Sequence, residues 1–136
     1  MLLVGTTYKC YLFSLNSASL SDAKDICLDF LSNLVTFETS LEFDAVKEQL
    51  FIETNYWFWI GYYASCNLGT FTWYYLINNQ LADMNLIPPW YPSRPSTDCS
   101  YNYLLLNVNW LNNNYSYIFD NPDRASNLRR YICEMP

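Results

Sequence analysis

Side chains suited to molecular recognition concentrate between residues 90 and 115. Tyrosine and tryptophan present large, stiff surfaces with one polar end, asparagine both donates and accepts hydrogen bonds, and arginine forks onto carboxylates or stacks on rings. This chemistry suits a protein partner, and it also suits sugar rings stacked on an aromatic face. Alternatively, aromatic residues here fill a second core beneath a loop, and we expect about half of them to be buried. The candidate ligand-binding residues are Trp90, Tyr91, Arg94, Ser96, Asp98, Tyr101, Tyr103, Asn107, Asn109, Trp110 and Tyr115.

Four oxygen-bearing side chains in or beyond this region are candidate metal ligands: Asp98, Asp120, Asn121 and Asp123. A hard cation such as Ca²⁺ needs several oxygen ligands, most of them anionic or carbonyl. Residues 120–123 also have the composition of an ordinary turn. A structural zinc site is not expected, because the chain has no histidine and no Cys-x-x-Cys pair.

Catalytic patterns find little support in the sequence. The absence of histidine excludes imidazole bases and the usual triads, and no glycine-rich phosphate loop is present. A carboxylate pair such as Asp98 with Asp120 could in principle cleave a glycosidic bond, but nothing in the spacing singles it out. We therefore expect a protein that is not an enzyme.

Length and charge exclude further classes. We expect the 136 residues to form a single domain, residues 1–136, long enough to bury its own core. The net charge of −6 and the small basic group of Arg124, Arg129 and Arg130 argue against a nucleic-acid partner. The whole acidic excess lies in residues 22–53, which suits either a docking face for a basic partner or ordinary solvated helix surfaces.

The sequence shows no membrane span and no targeting segment. The longest apolar run, Tyr56–Ala64, is well short of the roughly 20 residues that a spanning helix needs. Residues 1–4 are too short for the apolar segment of a secretory signal. Asn114 begins a glycosylation sequon, and widely spaced cysteines suggest disulfides and an oxidising compartment with one thiol left over. The cysteines are Cys10, Cys27, Cys66, Cys99 and Cys133.

Two helices are predicted in the first half of the chain. Apolar residues recur at three- and four-residue steps from Leu20 to Leu34, with Ser19 or Ser21 as the cap. A second helix is predicted from Ser40 to Leu50 or Phe51, after a capping-box spacing at residues 39–42. Its polar residues Glu42, Lys47 and Glu48 are expected to face outward.

The second half is predicted to consist of strands around a long irregular loop. The most aromatic run, Tyr56–Tyr63, is predicted to be the central strand, buried on both faces, with Gly61 near its end marking a turn. The long loop region covers about residues 64–98, and its part from 76 to 98 contains too much proline for a strand or helix interior. Two helices followed by strands give an α+β fold. The predicted strands are Tyr8–Phe13, Tyr56–Tyr63, Phe71–Tyr75, Tyr101–Leu106, Tyr115–Phe119 and Arg130–Cys133.

From about Tyr8 to Glu134 the chain resembles the C-type lectin-like domain. Residues 59–62, Trp-Ile-Gly-Tyr, are similar to the family's Trp-Ile-Gly-Leu core motif, and residues 132–134 are similar to its closing Ile-Cys-Glu. Residues 22–35 resemble the family's first helix and the strand after it. Residues 71–73 and Trp90 also fall where the family places strand and loop tryptophans. The resemblance implies two helices flanking antiparallel sheets, with a long loop region, in an extracellular or secreted protein.

The resemblance implies a disulfide between Cys27 and Cys133. Cys99 matches one half of the family's second bridge, but its usual partner position near residues 124–126 holds no cysteine. We therefore predict a bridge from Cys66 to Cys99. Cys10 resembles the family's extra N-terminal cysteine, and it is either free or links two chains into a dimer.

The resemblance also places residues 94–96, Arg-Pro-Ser, at the calcium-binding loop motif of sugar-binding members, which is Glu-Pro-Asn or Gln-Pro-Asp. Arg94 puts a permanent positive charge where an oxygen ligand is required. We therefore expect a recognition module that binds a protein ligand with no metal cofactor. The alternative is a lectin that binds glycan through Ca²⁺ held by the remaining oxygens, or through aromatic stacking.

Overall fold

The computed structural model describes residues 1–50, 56–86, 99, 103–109, 115–120 and 128–135. The helices in this part of the chain are α1 (Leu20–Asp29), α2 (Ser40–Leu50) and a short 3₁₀ helix, Met84–Leu86. The strands are β1 (Leu2–Val4), β2 (Thr7–Lys9), β3 (Tyr11–Phe13), β4 (Asn33–Leu34), β5 (Phe58–Asn67), β6 (Thr70–Tyr75), β7 (Tyr103–Asn109), β8 (Tyr115–Asp120) and β9 (Arg130–Glu134).

Strand β5 is the centre of the main sheet. The sheet has the order β3-β9-β5-β7-β8, with β4 also paired to β9 and β6 also paired to β5. The β5–β9 pairing is parallel, and the other pairings are antiparallel. Because Tyr63 pairs with both Tyr74 and Tyr103, β6 lies on the edge of β5 opposite to β7. The N-terminal hairpin β1–β2 forms a separate two-stranded sheet.

The two helices cover opposite faces of this sheet. Side chains alternate between faces along a strand, and in β5 Trp59 belongs to one buried cluster while Phe58 and Ile60 belong to the other. Residues of α2 pack with the Phe58 cluster, namely Phe43, Val46 and Leu50. Residues of α1 pack with the Trp59 cluster, namely Leu20, Ala23 and Cys27. The prediction of a core strand buried on both faces is thus confirmed.

Local sequence explains where α1 begins and ends. The hydroxyl of Ser19 accepts a hydrogen bond from the Asp22 N–H at 3.2 Å, so Ser19 is the cap. At the other end the Ser32 N–H donates to the Cys27 carbonyl and the Leu31 N–H to the Leu28 carbonyl, each at 2.9 Å. This is the Schellman pattern, in which Leu31 occupies the left-handed position with φ 54°.

Two strand predictions need correction. The predicted strand Tyr8–Phe13 is interrupted at Cys10, because β2 pairs with β1 whereas β3 pairs with β9. The central strand does not turn near Gly61 but runs on to Asn67 and forms a hairpin with β6. Gly61 has a different role, since a Cβ there would lie 2.6 Å from the Leu34 carbonyl oxygen.

No helix in the described ranges is long and apolar enough to cross a membrane.

Candidate functional site

Most of the predicted recognition surface lies outside the described residues. This holds for seven of the candidate ligand-binding residues, for two further candidate metal ligands and for the sequon asparagine. They are Trp90, Tyr91, Arg94, Ser96, Asp98, Tyr101, Trp110, Asn121, Asp123 and Asn114. The structure therefore describes the strands that neighbour these positions in the chain, β5, β6, β7 and β8, and we call these four strands the frame.

A disulfide fixes one end of that frame. Cys66, near the end of β5, is bonded to Cys99, with a Cα–Cα distance of 5.3 Å. The other bridge joins Cys27 in α1 to Cys133 in β9, and both of these side chains are fully buried. Both predicted pairings are confirmed. The chain that leaves the β6 hairpin is thus brought back to β5 at Cys99, just before β7 begins.

The β7–β8 ladder separates the remaining candidate residues into two groups. Asn107 is opposite Tyr117, and Asn109 is opposite Tyr115. Asp120, a candidate metal ligand, is opposite Leu104, at the end of the ladder that the chain enters from Cys99. Five residues separate Leu104 from Asn109, or roughly 17 Å along a strand. Asp120 and the asparagine pairs therefore belong to opposite ends of one ladder.

Two aromatic residues of the core motif hydrogen-bond β5 to segments on either side of the sheet. The Trp59 indole N–H donates to the Ala18 carbonyl at 2.9 Å, linking β5 to the segment before α1. The hydroxyl of Tyr62, which stands where the family motif has leucine, accepts from the Phe37 N–H at 2.8 Å. Burial raises the pKa of Tyr62. Both polar groups are satisfied within the core, so these residues support the fold and are not available to a ligand.

The sequence did not reveal a partly buried ion cluster. Glu42 was expected to face outward from α2, but it is only 3% exposed. Its carboxylate accepts from the Lys9 ammonium at 2.6 Å and from the Glu38 N–H at 2.9 Å. Lys9 also donates to Glu134 at 3.1 Å, and Glu134 accepts from the Thr36 N–H at 3.4 Å. These contacts join residues up to 125 positions apart, which no local pattern reveals.

Burial and mutual contacts shift the pKa values of the residues in and beside this cluster. Burial alone would lower the pKa of Lys9, but hydrogen bonds to Glu42 and Glu134 outweigh it and raise that pKa. Burial raises the pKa of Glu134 despite the opposing effect of Lys9. Burial, with Glu134 and Glu42 nearby, also raises the pKa of Tyr11 to about 12. Only Glu42 is fully buried, since the Lys9 side chain is 29% exposed and that of Glu134 is 15% exposed, and Lys9 compensates both carboxylates.

A cleft of about 700 Å³ opens beside this cluster. Its wall includes Lys9, Glu134, Asn33, Gln80 and the half-buried free thiol of Cys10. Within the described ranges, none of the candidate ligand-binding or metal-binding residues lines it. The cleft and the ion cluster therefore share Lys9 and Glu134.

Metal ligands are not assembled in the part of the chain that the structure describes. No group of three or more aspartate, glutamate, cysteine or histidine residues there is placed to hold an ion. Of the predicted calcium ligands only Asp120 lies within the described residues, where it ends β8.

Comparison with known protein families identifies the family to which this fold belongs. The family model described as the C-type lectin domain matches residues 16–135, which is most of the chain. The chain belongs to the C-type lectin domain family. A C-type lectin-like domain is a recognition module, and its two disulfides fit the extracellular setting typical of the family.

Solved structures support the same fold. The C-type lectin domain of murine dendritic cell inhibitory receptor 2, in complex with N-glycan, gives a TM-score of 0.74 at 16% identity, covering 93% of this chain and 90% of that one. Human lithostathine gives 0.72 at 18% identity, covering 95% and 85%. A Ca²⁺-dependent type II antifreeze protein in its Ca²⁺-free form gives 0.69 at 22%, covering 94% and 92%. The comparison with curated proteins found no match. At these identities the likeness concerns the fold alone.

Proposed function

We propose that this C-type lectin-like domain is an extracellular recognition module that binds a protein ligand without Ca²⁺. The observation that carries the proposal is the sequence Arg94-Pro95-Ser96, which resembles the loop motif in which sugar-binding members have an amide or carboxylate ligand, but has arginine instead. A guanidinium stays charged at any physiological pH and repels a divalent cation, and a serine hydroxyl is a weak ligand for a hard ion. The aromatic and asparagine residues around Arg94 then provide the contact chemistry.

Glycan binding is the second candidate. The murine receptor domain with the same fold was solved in complex with N-glycan. Asp98, Asp120, Asn121 and Asp123 remain available as oxygen ligands in the sequence, and Trp90 and Trp110 offer faces for sugar rings. In this alternative either Ca²⁺ is held despite Arg94, or the sugar is held by stacking alone.

Calcium titration separates the two candidates. A ligand that binds only the folded state raises the melting temperature by mass action. We expect the same Tm with 5 mM EDTA and with about 5 mM Ca²⁺, a concentration well above the Kd of extracellular calcium modules. The matched variant R94E/S96N restores a Glu-Pro-Asn motif, and it should gain a Ca²⁺-dependent rise in Tm if these two residues are what blocks the site. A Ca²⁺-induced rise in the wild-type chain would contradict the proposal.

A glycan array then tests the ligand class directly. The wild-type chain is applied with and without EDTA, and R94E/S96N is applied in parallel. We expect no sugar signal from the wild type under either condition. Sugar binding that EDTA abolishes would establish the calcium-dependent lectin. Sugar binding that EDTA leaves intact and that W90A or W110A removes would establish stacking.

Two further proposals concern the chain as a secreted protein. Cys10 is a free thiol among the described residues, and we propose that it is available either to remain reduced or to join two chains. Mass analysis without reductant, compared with C10S, distinguishes a monomer from a disulfide-linked dimer. Expression in a secreting eukaryotic cell, with N114Q as the control, tests whether Asn114 carries a glycan.

A further inference from the structure

The cleft beside Lys9 and Glu134 has the size of a ligand-binding site. Its volume of about 700 Å³ lies within the range of roughly 300–1,000 Å³ that is usual for small-molecule pockets. Its walls come from four segments that are far apart in sequence, around residues 7–10, 33–38, 75–80 and 134–135. A ligand bound between these walls would use none of the described residues on which the function proposed above relies.

Hydrogen bonds of the backbone hold two of these walls in place. At the turn after β6, the Tyr75 N–H donates to the Gln80 carbonyl and the Asn79 N–H donates to the Tyr75 carbonyl, each at 2.9 Å. The Met135 N–H donates to the Cys10 carbonyl at 3.0 Å, which joins the residue after β9 to the residue between β2 and β3. The cleft is therefore preformed, and a ligand that enters it does not have to order these segments first.

Negative charge predominates in and behind the cleft. Lys9 is the only cationic side chain among the described residues that line it, and it already binds Glu42 at 2.6 Å and Glu134 at 3.1 Å. A third carboxylate, that of Glu38, lines the cleft, is exposed and forms no ion pair with another described residue. Burial is the main cause of the raised pKa of Tyr11, and after it Glu134 and Glu42 each raise that pKa by more than Lys9 lowers it. The field beside the cluster is thus negative.

The remaining wall residues suit an apolar body with polar edges. Tyr8 is 65% exposed and Ile77 is 57% exposed, and they offer apolar surface from two different segments. The side-chain amides of Asn33 and Gln80 also line the cleft and form no hydrogen bond with another described residue. In ligand pockets an apolar lining supplies most of the contact, and a few polar groups fix the orientation.

We propose that this cleft binds a small organic amine, a molecule with an aromatic or branched aliphatic body and a single ammonium group. The ammonium binds beside Glu134 as a second cation, with Glu38 adding to the attraction, and offsets carboxylate charge that Lys9 alone does not balance. The apolar body packs against Ile77 and Tyr8. The same charges repel an anion, and a neutral analogue lacks the charge-assisted hydrogen bond.

Three probes of similar shape and different charge test this proposal: phenethylamine, the neutral 2-phenylethanol and the anionic 3-phenylpropionate. Each is titrated into the ¹⁵N-labelled chain, and binding is followed by the NMR shifts of the backbone amides. Met1 also lines the cleft, so the chain carries an acetylated N-terminus, which removes the charge of the Met1 amino group. We expect phenethylamine to shift the amide signals of Asn33, Thr36 and Gln80 in a saturable way.

The affinities separate charge recognition from apolar contact. Phenethylamine should bind about tenfold more tightly than 2-phenylethanol, which is the factor expected from one charge-assisted hydrogen bond. The anionic probe should give no saturable shift. Ile77→Ala should weaken the amine and the alcohol alike, because it removes apolar contact that both probes share.

Two exposed glutamates provide a matched pair of variants. Glu38→Gln removes a carboxylate that lines the cleft, whereas Glu48→Gln removes one from the exposed side of α2, which does not line it. Both positions are exposed, so both variants should fold. Glu38→Gln should weaken phenethylamine binding about threefold and leave 2-phenylethanol binding unchanged, while Glu48→Gln changes neither.

Four results would overturn the proposal. These are no saturable shift with phenethylamine, equal affinity for 2-phenylethanol, equal losses in Glu38→Gln and Glu48→Gln, or shifts that leave the amides of Asn33, Thr36 and Gln80 unmoved. None of them bears on the calcium titration, which is read from Tm and depends on Arg94 and Ser96.

Discussion

At residue scale, Gly61 shows how closely the backbone approaches itself in the core. Its N–H donates to the Val35 carbonyl at 2.8 Å, and a Cβ would lie 2.6 Å from the Leu34 carbonyl oxygen. Backbone cannot move aside as a flexible side chain does. We expect Gly61→Ala to reduce the free energy of unfolding by about 1–3 kcal/mol through overpacking. Urea denaturation measures this loss, and Ser65→Ala, an exposed change in the same strand, should leave stability within about 0.5 kcal/mol.

Lys9 is the residue on which the partly buried ion cluster depends. Lys9→Met leaves the carboxylate of Glu42 buried without its cation, and we expect a loss of about 2–3 kcal/mol in the free energy of unfolding. The double variant K9M/E42Q removes the uncompensated charge while its amide oxygen still accepts from the Glu38 N–H. It should therefore be more stable than K9M alone. A double variant no more stable than K9M would show that the ion pair itself is not what stabilises this region.

Tyr11, next to the same cluster, makes the stability of the fold depend on pH. Its hydroxyl is buried and has no hydrogen-bond partner among the described residues. Its pKa is raised from 10.0 to about 12, first by burial and then by Glu134 and Glu42. Between these values the unfolded chain releases a proton that the folded chain retains, so stability falls as pH rises from 10 to 12.

Tyr11→Phe removes both effects. We expect the free energy of unfolding at pH 7 to increase by about 1 kcal/mol, because an unsatisfied polar group is lost. The decline in Tm from pH 10 upward should be shallower than in the wild type, although Lys9 and Tyr62 still contribute to it. Thermal unfolding at pH 7, 9, 10 and 11 provides the measurement. An equally steep alkaline decline in Tyr11→Phe would contradict the assignment.

At element scale, the caps explain why both helices start where sequence patterns place them. The sequence left Ser19 and Ser21 as alternative caps for α1, and the structure selects Ser19. At α2 the Thr39 hydroxyl accepts from the Glu42 N–H at 3.3 Å, as in a capping box. The carboxylate of Glu42, however, reaches the Glu38 N–H one residue earlier and is drawn inward by Lys9. A long-range ion pair thus overrides the local expectation that Glu42 faces solvent.

The two serines before and within α1 form a natural test of this cap. Ser19→Ala removes the acceptor for the Asp22 N–H and should cost about 1 kcal/mol. Ser21→Ala lies inside the first turn, where alanine is the better helix former, so it should be neutral or slightly stabilising. Chemical denaturation of the two variants compares them directly. Equal losses would mean that the start of α1 is not held by Ser19.

For the whole molecule, sequence periodicity and residue type predicted most elements because these are local properties. The α1 stripe from Leu20 and the aromatic run at β5 could be read directly, as could the resemblance carried by residues 59–62. The Lys9–Glu42–Glu134 cluster could not, because it depends on tertiary contacts between β2, α2 and β9. The left-handed residue Leu31 was missed for the opposite reason, since leucine is atypical of left-handed turns and gives no turn signal, whereas Gly69 marks the turn at Leu68 in the sequence. Of the candidate site, the sequence supplied the residues, and the structure supplied their supporting frame.

The two disulfides have different roles. We expect Cys27–Cys133 mainly to stabilise the fold and Cys66–Cys99 mainly to position the loop. The Cys27–Cys133 and Cys66–Cys99 bridges span 106 and 33 residues. In the chain-entropy model, removing them costs about 4–5 and about 3–4 kcal/mol, respectively. C27A/C133A also empties two fully buried positions that join α1 to β9, so we expect it to lose most of its cooperative unfolding transition at 37 °C. Cys66 is only half-buried, and C66A/C99A should keep a cooperative transition at lower denaturant.

The variant C66A/C99A therefore tests whether the bridge supports ligand recognition separately from folding. Without the bond between Cys66 and Cys99 the segment between them is no longer closed into a loop, and ordering it on contact with a ligand costs more conformational entropy. We expect the Ca²⁺-dependent rise in Tm gained by R94E/S96N to shrink or vanish when C66A/C99A is added, while the unfolding transition without Ca²⁺ stays cooperative. Thermal unfolding with and without Ca²⁺ measures both effects in one preparation. Loss of the cooperative transition together with the Ca²⁺ effect would show that the Cys66–Cys99 bridge holds the whole domain and not the loop in particular.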